Sequence, residues 1–130
     1  MRRLRTRDQF QALLAERPVS RTAHFALHRL RLRDQVEGGT RAPLFEPAGA
    51  PWLGAMVPKR WARRAVTRNA IRRQIYAVGE GLWSPLGADA RLVRLRAAFS
   101  PQHYPSASSA ALKSAVRAEL QQLFAQERRG

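Results

Sequence analysis

The chain contains no cysteine, so neither a disulfide nor a Cys-based zinc site can staple it. No apolar run approaches the length of a membrane span. The basic opening, MRRLRTRDQF, lacks the apolar stretch that would make it a secretory signal, and a cytoplasmic location is expected. Acidic residues are the scarcest class with a consequence: 9 Asp+Glu stand against 24 Lys+Arg, a formal net charge of +15 over 130 residues. Lysine is nearly missing as well, since only Lys59 and Lys113 occur. Arginine carries five donors in a planar fork and stacks on bases, which suits phosphate and RNA recognition. A GC-rich genome, which favours Arg codons, is the competing explanation of the same bias. Catalytic signatures are missing too. There is no H-E-x-x-H, paired-acid motif, phosphate-binding loop or nucleophile elbow. His24, His28 and His103 could make a site only by folding together, and ordinary packed or surface histidines are the preferred reading. His24 and His28 are expected on one face of a strand.

What is present is a basic block. The run Lys59 to Arg73 reads KRWARRAVTRNAIRR, with seven Lys or Arg in fifteen residues, and no carboxylate lies between Glu46 and Glu80. Solvated helices ordinarily mix signs, because like charges at i,i+4 repel. An unopposed positive row therefore points to a polyanion, whose phosphates accept Arg forks and release counterions. Helix is expected from about Arg63 to Val78, with Gly79 and Gly81 as terminators. At 100° per residue Ile71, Ile75, Val78 and Leu82 form a core stripe, while Arg68, Asn69, Arg72, Arg73 and Tyr76 occupy a separate arc. Arg60, Arg63 and Arg64 lie where the helix starts. Asn69 can donate and accept at a base edge or 2′-hydroxyl. Trp61 either stacks on a base or packs as a staple at the helix start.

The rest of the chain reads as a single domain, residues 1–130. Thr6 or Asp8 caps a helix carrying Phe10, Leu13 and Leu14, which Arg17-Pro18 ends. Residues 23–32 alternate as a strand, with Phe25, Leu27, Arg29 and Arg31 opposite Ala26, His28, Leu30 and Leu32. A long Gly/Pro-rich connection, 34–51, reads as a flexible loop. Strands follow at 52–57 and 90–96, separated by the basic helix and a turn at 84–87. A loop at 100–106 precedes a last helix, capped by Ser108 or Ser109, with the stripe Leu112, Val116, Leu120, Leu123 and Phe124. The class is α+β: an α/β sandwich with a small mixed sheet of about four strands, in the order α-β-β-β-α-β-α. Phe10, Leu14, Ala26 and His28 could line a shallow groove for a single strand between the first helix and the sheet. Ordinary core packing of Phe10 and Leu14 is the plainer alternative.

Lys59-Arg60, then Arg63-Arg64-Ala65-Val66, then Arg68-Asn69-Ala70-Ile71-Arg72-Arg73 resembles the signature of the bacterial ribonuclease P protein component: a strand ending in two basic residues, then a helix bearing Arg-Asn-Arg-x-Lys-Arg. The resemblance extends to Arg7-Asp8 with Phe10, to His24-Phe25-Ala26-Leu27, to Leu53-Gly54-Ala55-Met56-Val57, to 89–96 and to the closing helix.

It implies a protein subunit of an endoribonuclease whose large catalytic RNA, with Mg2+, removes the 5′ leader of precursor tRNA, and no catalytic side chain in this chain. It implies a left-handed βαβ crossover around the basic helix, against the usual right-handed rule, as in the second domain of a small-subunit ribosomal protein. Lys59, Arg60, Arg64, Arg68, Asn69, Arg72 and Arg73, with Arg63 beside them, would face RNA. Phe10, Leu14, Ala26 and His28 would face the leader. Groups that influence metal binding are not specified by the resemblance.

Several positions depart from the family pattern. Ala70 replaces the second Arg of the motif. Tyr76-Ala77 and Gly79-Glu80 replace a more basic continuation, which implies an early helix end. Leu14 and His28 stand where aromatics are common, and the 34–51 connection is longer than typical. Arg91 and Arg94 interrupt a strand that is usually apolar, which implies an exposed edge or face. Two other classes stay open: a ribosomal or general basic RNA-binding protein with no part in tRNA processing, and a DNA-binding module. The second lacks a partner helix for helix-turn-helix docking.

Overall fold

The computed structural model describes residues 1–32, 44–45, 50–82, 89–100, 102–104 and 109–129. The expected loop at 34–51, the turn at 84–87 and the 100–106 loop lie wholly or partly outside the described residues.

Eight elements follow one another: β1 (Arg2–Arg3), α1 (Arg7–Leu14), β2 (Pro18–Arg21), β3 (Phe25–Leu30), β4 (Trp52–Met56), α2 (Ala65–Gly81), β5 (Ala90–Leu95) and α3 (Ala110–Arg129). The strands form one mixed sheet in the order β1-β4-β5-β3-β2. β4 runs parallel to both β1 and β5, whereas β3 runs antiparallel to β5 and β2. The α+β class holds, with five strands in place of about four. The outer two, β1 and β2, are too short for an alternation signal, and they join the sheet by pairing with strands further along the chain.

Strand alternation divides the core in two. Phe25, Leu27, Leu53, Ala55, Val93 and Leu95 point to the face covered by α2 and α3, against Ile71, Ile75, Leu112, Val116, Leu120, Leu123 and Phe124. The opposite face carries Leu30, Trp52, Ala90 and Leu92, covered by Leu4 and Leu13 with help from Phe10 and Phe45. Thr6 starts α1 with a capping box: its Oγ1 accepts from Gln9 N at 3.2 Å while Gln9 Oε1 accepts from Thr6 N at 3.1 Å. Ser109 caps α3 by accepting from Leu112 N.

Three expectations are corrected. Helix α2 continues to Gly81, and Gly79 is buried within it rather than ending it. A Cβ at Gly79 would overlap Leu53 Cδ2, so the glycine is there for close helix–sheet approach. Arg91 is not exposed. It is 4% accessible on the central strand, with Nε 2.9 Å and Nη2 2.9 Å from Glu127 Oε1, and Arg29 shares the same carboxylate at 3.1 Å. A single glutamate from α3 thus compensates two guanidiniums, one of them fully desolvated. Finally, His24 and His28 do not share a face. β3 begins at Phe25, which frees the His24 ring to stack on Phe99 and to meet Glu119 of α3 at 2.7 Å, while His28 points to the α1 side.

Candidate nucleic-acid interface

After β4 the chain turns at Pro58, whose carbonyl accepts from Trp61 N and Ala62 N, and the helix begins at Ala65. Arg64 occupies the N-cap with extended backbone and no side-chain cap. The first turn contains no acidic residue to neutralise the positive end of the helix dipole. Lys59, Arg60, Arg63, Arg64, Asn69, Arg72 and Arg73 are exposed there. An uncapped helix start ringed by guanidiniums is an anion-binding arrangement.

The predicted arc is brought together, with two refinements. Arg68 is only half-exposed, because Nη1 donates to the carbonyls of Ala62 (3.0 Å) and Arg63 (2.8 Å). It fastens the turn that presents Arg63 and Arg64. Trp61 is half-buried against the α2–α3 core with the Arg60 guanidinium 5.0 Å from its ring centroid, which favours the packing role.

A cleft of about 420 Å³ lies along the same helix, bordered by Arg3, Asn69, Arg72, Arg73, Tyr76 and Glu80. Arg72 Nη1 donates to Asn69 Oδ1 at 3.3 Å. Arg3 of β1 stacks 4.0 Å above the Tyr76 ring, a cation–π contact. Ala70 is 7% exposed and does not border the cleft, to which β1, distant in sequence, contributes Arg3. Nothing in the local sequence signals that meeting.

The second predicted surface lies where α1 meets the sheet. Ala26 and His28 are buried, Phe10 is half-buried against the adjoining core, and Leu14 is 38% exposed. Of the four predicted groove residues, Ala26 and His28 are thus covered rather than open, Phe10 helps to close the core, and Leu14 presents an exposed side chain beside them. His28 has both ring nitrogens engaged. Nδ1 lies 2.8 Å from the Glu16 carbonyl, which only accepts, so Nδ1 carries the proton. Nε2 is then the acceptor for Arg94 Nε at 3.4 Å. Burial holds the His28 pKa below its ordinary value, reinforced by the charges of Arg94 and Arg21 and opposed by the hydrogen bond to Glu16.

Arg94 was not among the expected groove residues. Its strand alternates Arg91, Val93 and Leu95 with Leu92, Arg94 and Arg96, and the register sets Arg94 between Ala26 and Met56, on the side of the sheet that carries His28. No three His, Asp or Glu among the described residues stand together as a possible metal site. No helix among them is long and apolar enough to cross a membrane.

Residues 1–126 match the sequence profile of the family described as Ribonuclease P. The chain is 38% identical over 122 residues to the ribonuclease P protein component of Ralstonia pickettii, covering 94% of this chain and 76% of that protein. It is 30% identical to the corresponding protein of Paraburkholderia xenovorans, with 94% and 77% covered. The fold matches the RNase P protein of Staphylococcus aureus with a TM-score of 0.67 at 17% identity, covering 95% of this chain and 93% of that one. On this sequence match and this shared fold, the chain belongs to the ribonuclease P protein family.

Proposed function

We propose that this protein is the protein subunit of ribonuclease P, binding the catalytic RNA and the 5′ leader of precursor tRNA so that the leader is removed. The observation that carries this reading is the exposed guanidinium row at the uncapped start of α2, whose first turn has no acidic residue. Arg60, Arg63, Arg64, Arg72, Arg73 and Lys59 track phosphates of the catalytic RNA, with Arg68 bracing the turn and Asn69 offering a polar edge. The deep major groove of A-form RNA resists reading, so backbone and shape contacts dominate such a surface. The groove of Phe10, Leu14, Ala26 and His28 takes the single-stranded leader. Arg60 of the basic row is near enough for its charge to act on Arg94, which lies beside His28.

In this reading the phosphodiester hydrolysis belongs to the RNA. Mg2+, a hard cation that prefers oxygen ligands and retains water, would act there and supply charge stabilisation for the hydrolysis. This chain's residues bind, orient and neutralise charge.

The test is reconstitution with the cognate catalytic RNA at low magnesium. Leader removal should be strongly stimulated by the wild-type protein and lost with the exposed pair Arg72→Ala and Arg73→Ala, whose circular dichroism should remain native. Each lost phosphate contact should also lower the salt slope of RNA affinity by about 0.7 to 0.9. RNA binding without stimulation would instead identify a general basic RNA-binding protein.

A further inference from the structure

An arginine in the middle of a sheet requires compensation for its lost hydration. Arg91 receives it from Glu127 on the helical side of β5. Arg94, three residues later on the opposite side, does not. Its hydrogen-bond partner is a neutral imidazole, the Nε2 of His28. Burial first, and then the charges of Arg96, Arg21 and Arg60, all of its own sign, hold its pKa below the ordinary guanidinium value. None of the ion pairs among the described residues includes it. Arg96 is itself anchored, with Nη1 donating to the carbonyls of Thr22 (2.8 Å) and Ala23 (3.1 Å).

The result is a half-buried guanidinium turned toward His28 by a single hydrogen bond. Its Nε is directed to His28, its Nη groups remain for another acceptor, and further arginines stand around it. Such convergence is unfavourable in the free protein and favourable once an oxyanion enters. His28 cannot serve a ligand by hydrogen bonding without breaking one of its own two contacts, so its role is to fix Arg94.

We propose that the partly exposed Arg94, set by the sheet register between Ala26 and Met56, binds one phosphodiester of the leader, with Arg21 and Arg60 supporting the same anion. This rests on the assignment of the groove to the leader and adds a register to it. A phosphate fixed at Arg94 places the neighbouring nucleotides at a set distance from Phe10 and Leu14. The groove then counts nucleotides through the backbone, whatever the bases.

The experiment uses the reconstituted holoenzyme and precursor tRNAs carrying a single neutral methylphosphonate at each leader linkage in turn. Dissociation constants are measured for wild type, Arg94→Lys and Arg94→Met, the last retaining much of the aliphatic stem. Arg94→Met should weaken binding of leader-bearing substrate by about tenfold or more, the scale of a charged hydrogen bond, and weaken mature tRNA far less. One methylphosphonate position should weaken wild-type binding by a similar factor and have no further effect in Arg94→Met. Arg94→Lys should fall between.

If the losses multiply at every linkage, Arg94 touches no phosphate and the proposal falls, while a retained preference of wild type for leader-bearing substrate keeps the groove assignment. If 7-deaza substitution of a leader purine, rather than any methylphosphonate, cancels the Arg94 effect, a base edge is the ligand and the phosphate proposal is overturned. If wild type binds mature and leader-bearing tRNA equally, the groove assignment falls together with it.

Discussion

His28 shows how one residue can be buried, polar and still settled. Its Nδ1–H is donated to the Glu16 carbonyl and its Nε2 receives the Arg94 guanidinium. A second proton would sit on Nε2, turning an acceptor into a donor that faces donors. Burial and the Arg94 and Arg21 charges therefore depress its pKa below the usual 6.5. The sign for stability follows. A depressed folded-state pKa contributes stability that is complete above the unfolded value near 6.5 and is lost as pH falls through the lower folded value. The His28 ring should titrate by NMR with a midpoint below 6.5. The melting temperature of the free protein should decline on acidification through that window, and the decline should shrink in His28→Gln. A ring that titrates at or above the ordinary value would contradict the hydrogen-bond arrangement around it.

Elements in this fold are brought close by glycines whose role is steric. Gly54 in β4 lies under Leu4, and a Cβ there would overlap Leu4 Cδ1 and stand 2.8 Å from Cγ and 3.1 Å from Cβ. Leu4 is itself buried and its N–H is bonded to the Leu53 carbonyl, so it has little room to retreat. Gly54→Ala should cost about 1–3 kcal/mol, the usual range for overpacking, as a lower urea midpoint with an unchanged m-value. Gly81, at the last turn of α2, has open space where a methyl would stand, with nothing within 4 Å of it, and no left-handed backbone. Gly81→Ala should therefore be neutral or stabilising by up to about 1 kcal/mol. Opposite signs from two glycines test the packing directly.

The same elements show what was legible beforehand. The stripe Ile71, Ile75 and Val78 and the stripe Leu112 to Phe124 are periodic over several turns, so their helices and inward faces could be read locally. The basic arc of α2 followed from the same geometry. The partners of Arg91, of Tyr76 and of His28 could not, since Glu127, Arg3 and Arg94 reach them through sheet register and helix docking. Gly79 was open to misreading for a related reason. A glycine near a helix end looks like a stop until the strand beneath it is known.

For the molecule as a whole, the charge is the governing quantity. A formal +15 on 130 residues repels itself in the compact state more than in the expanded one. The carboxylates Glu119 and Glu127 are committed to His24, Arg29 and Arg91 on the α3 side, and the basic surface at α2 and β1 is left to solvent and ions. Simple salt should therefore raise the stability of the free protein, because a Debye length of about 10 Å at 0.1 M already screens exposed charges. The same salt should lower RNA affinity, with a slope of about 0.7 to 0.9 per phosphate contact. Sulfate at millimolar concentration should stabilise more than chloride at matched ionic strength. Arg forks bind an oxyanion bidentately, and a ligand that binds only the folded state adds stability by mass action. The extra effect of sulfate should diminish in Arg72→Ala with Arg73→Ala, which removes two forks without touching the core. Equal stabilisation by both anions in the wild type would mean that the basic face holds no discrete oxyanion site and acts through net charge alone.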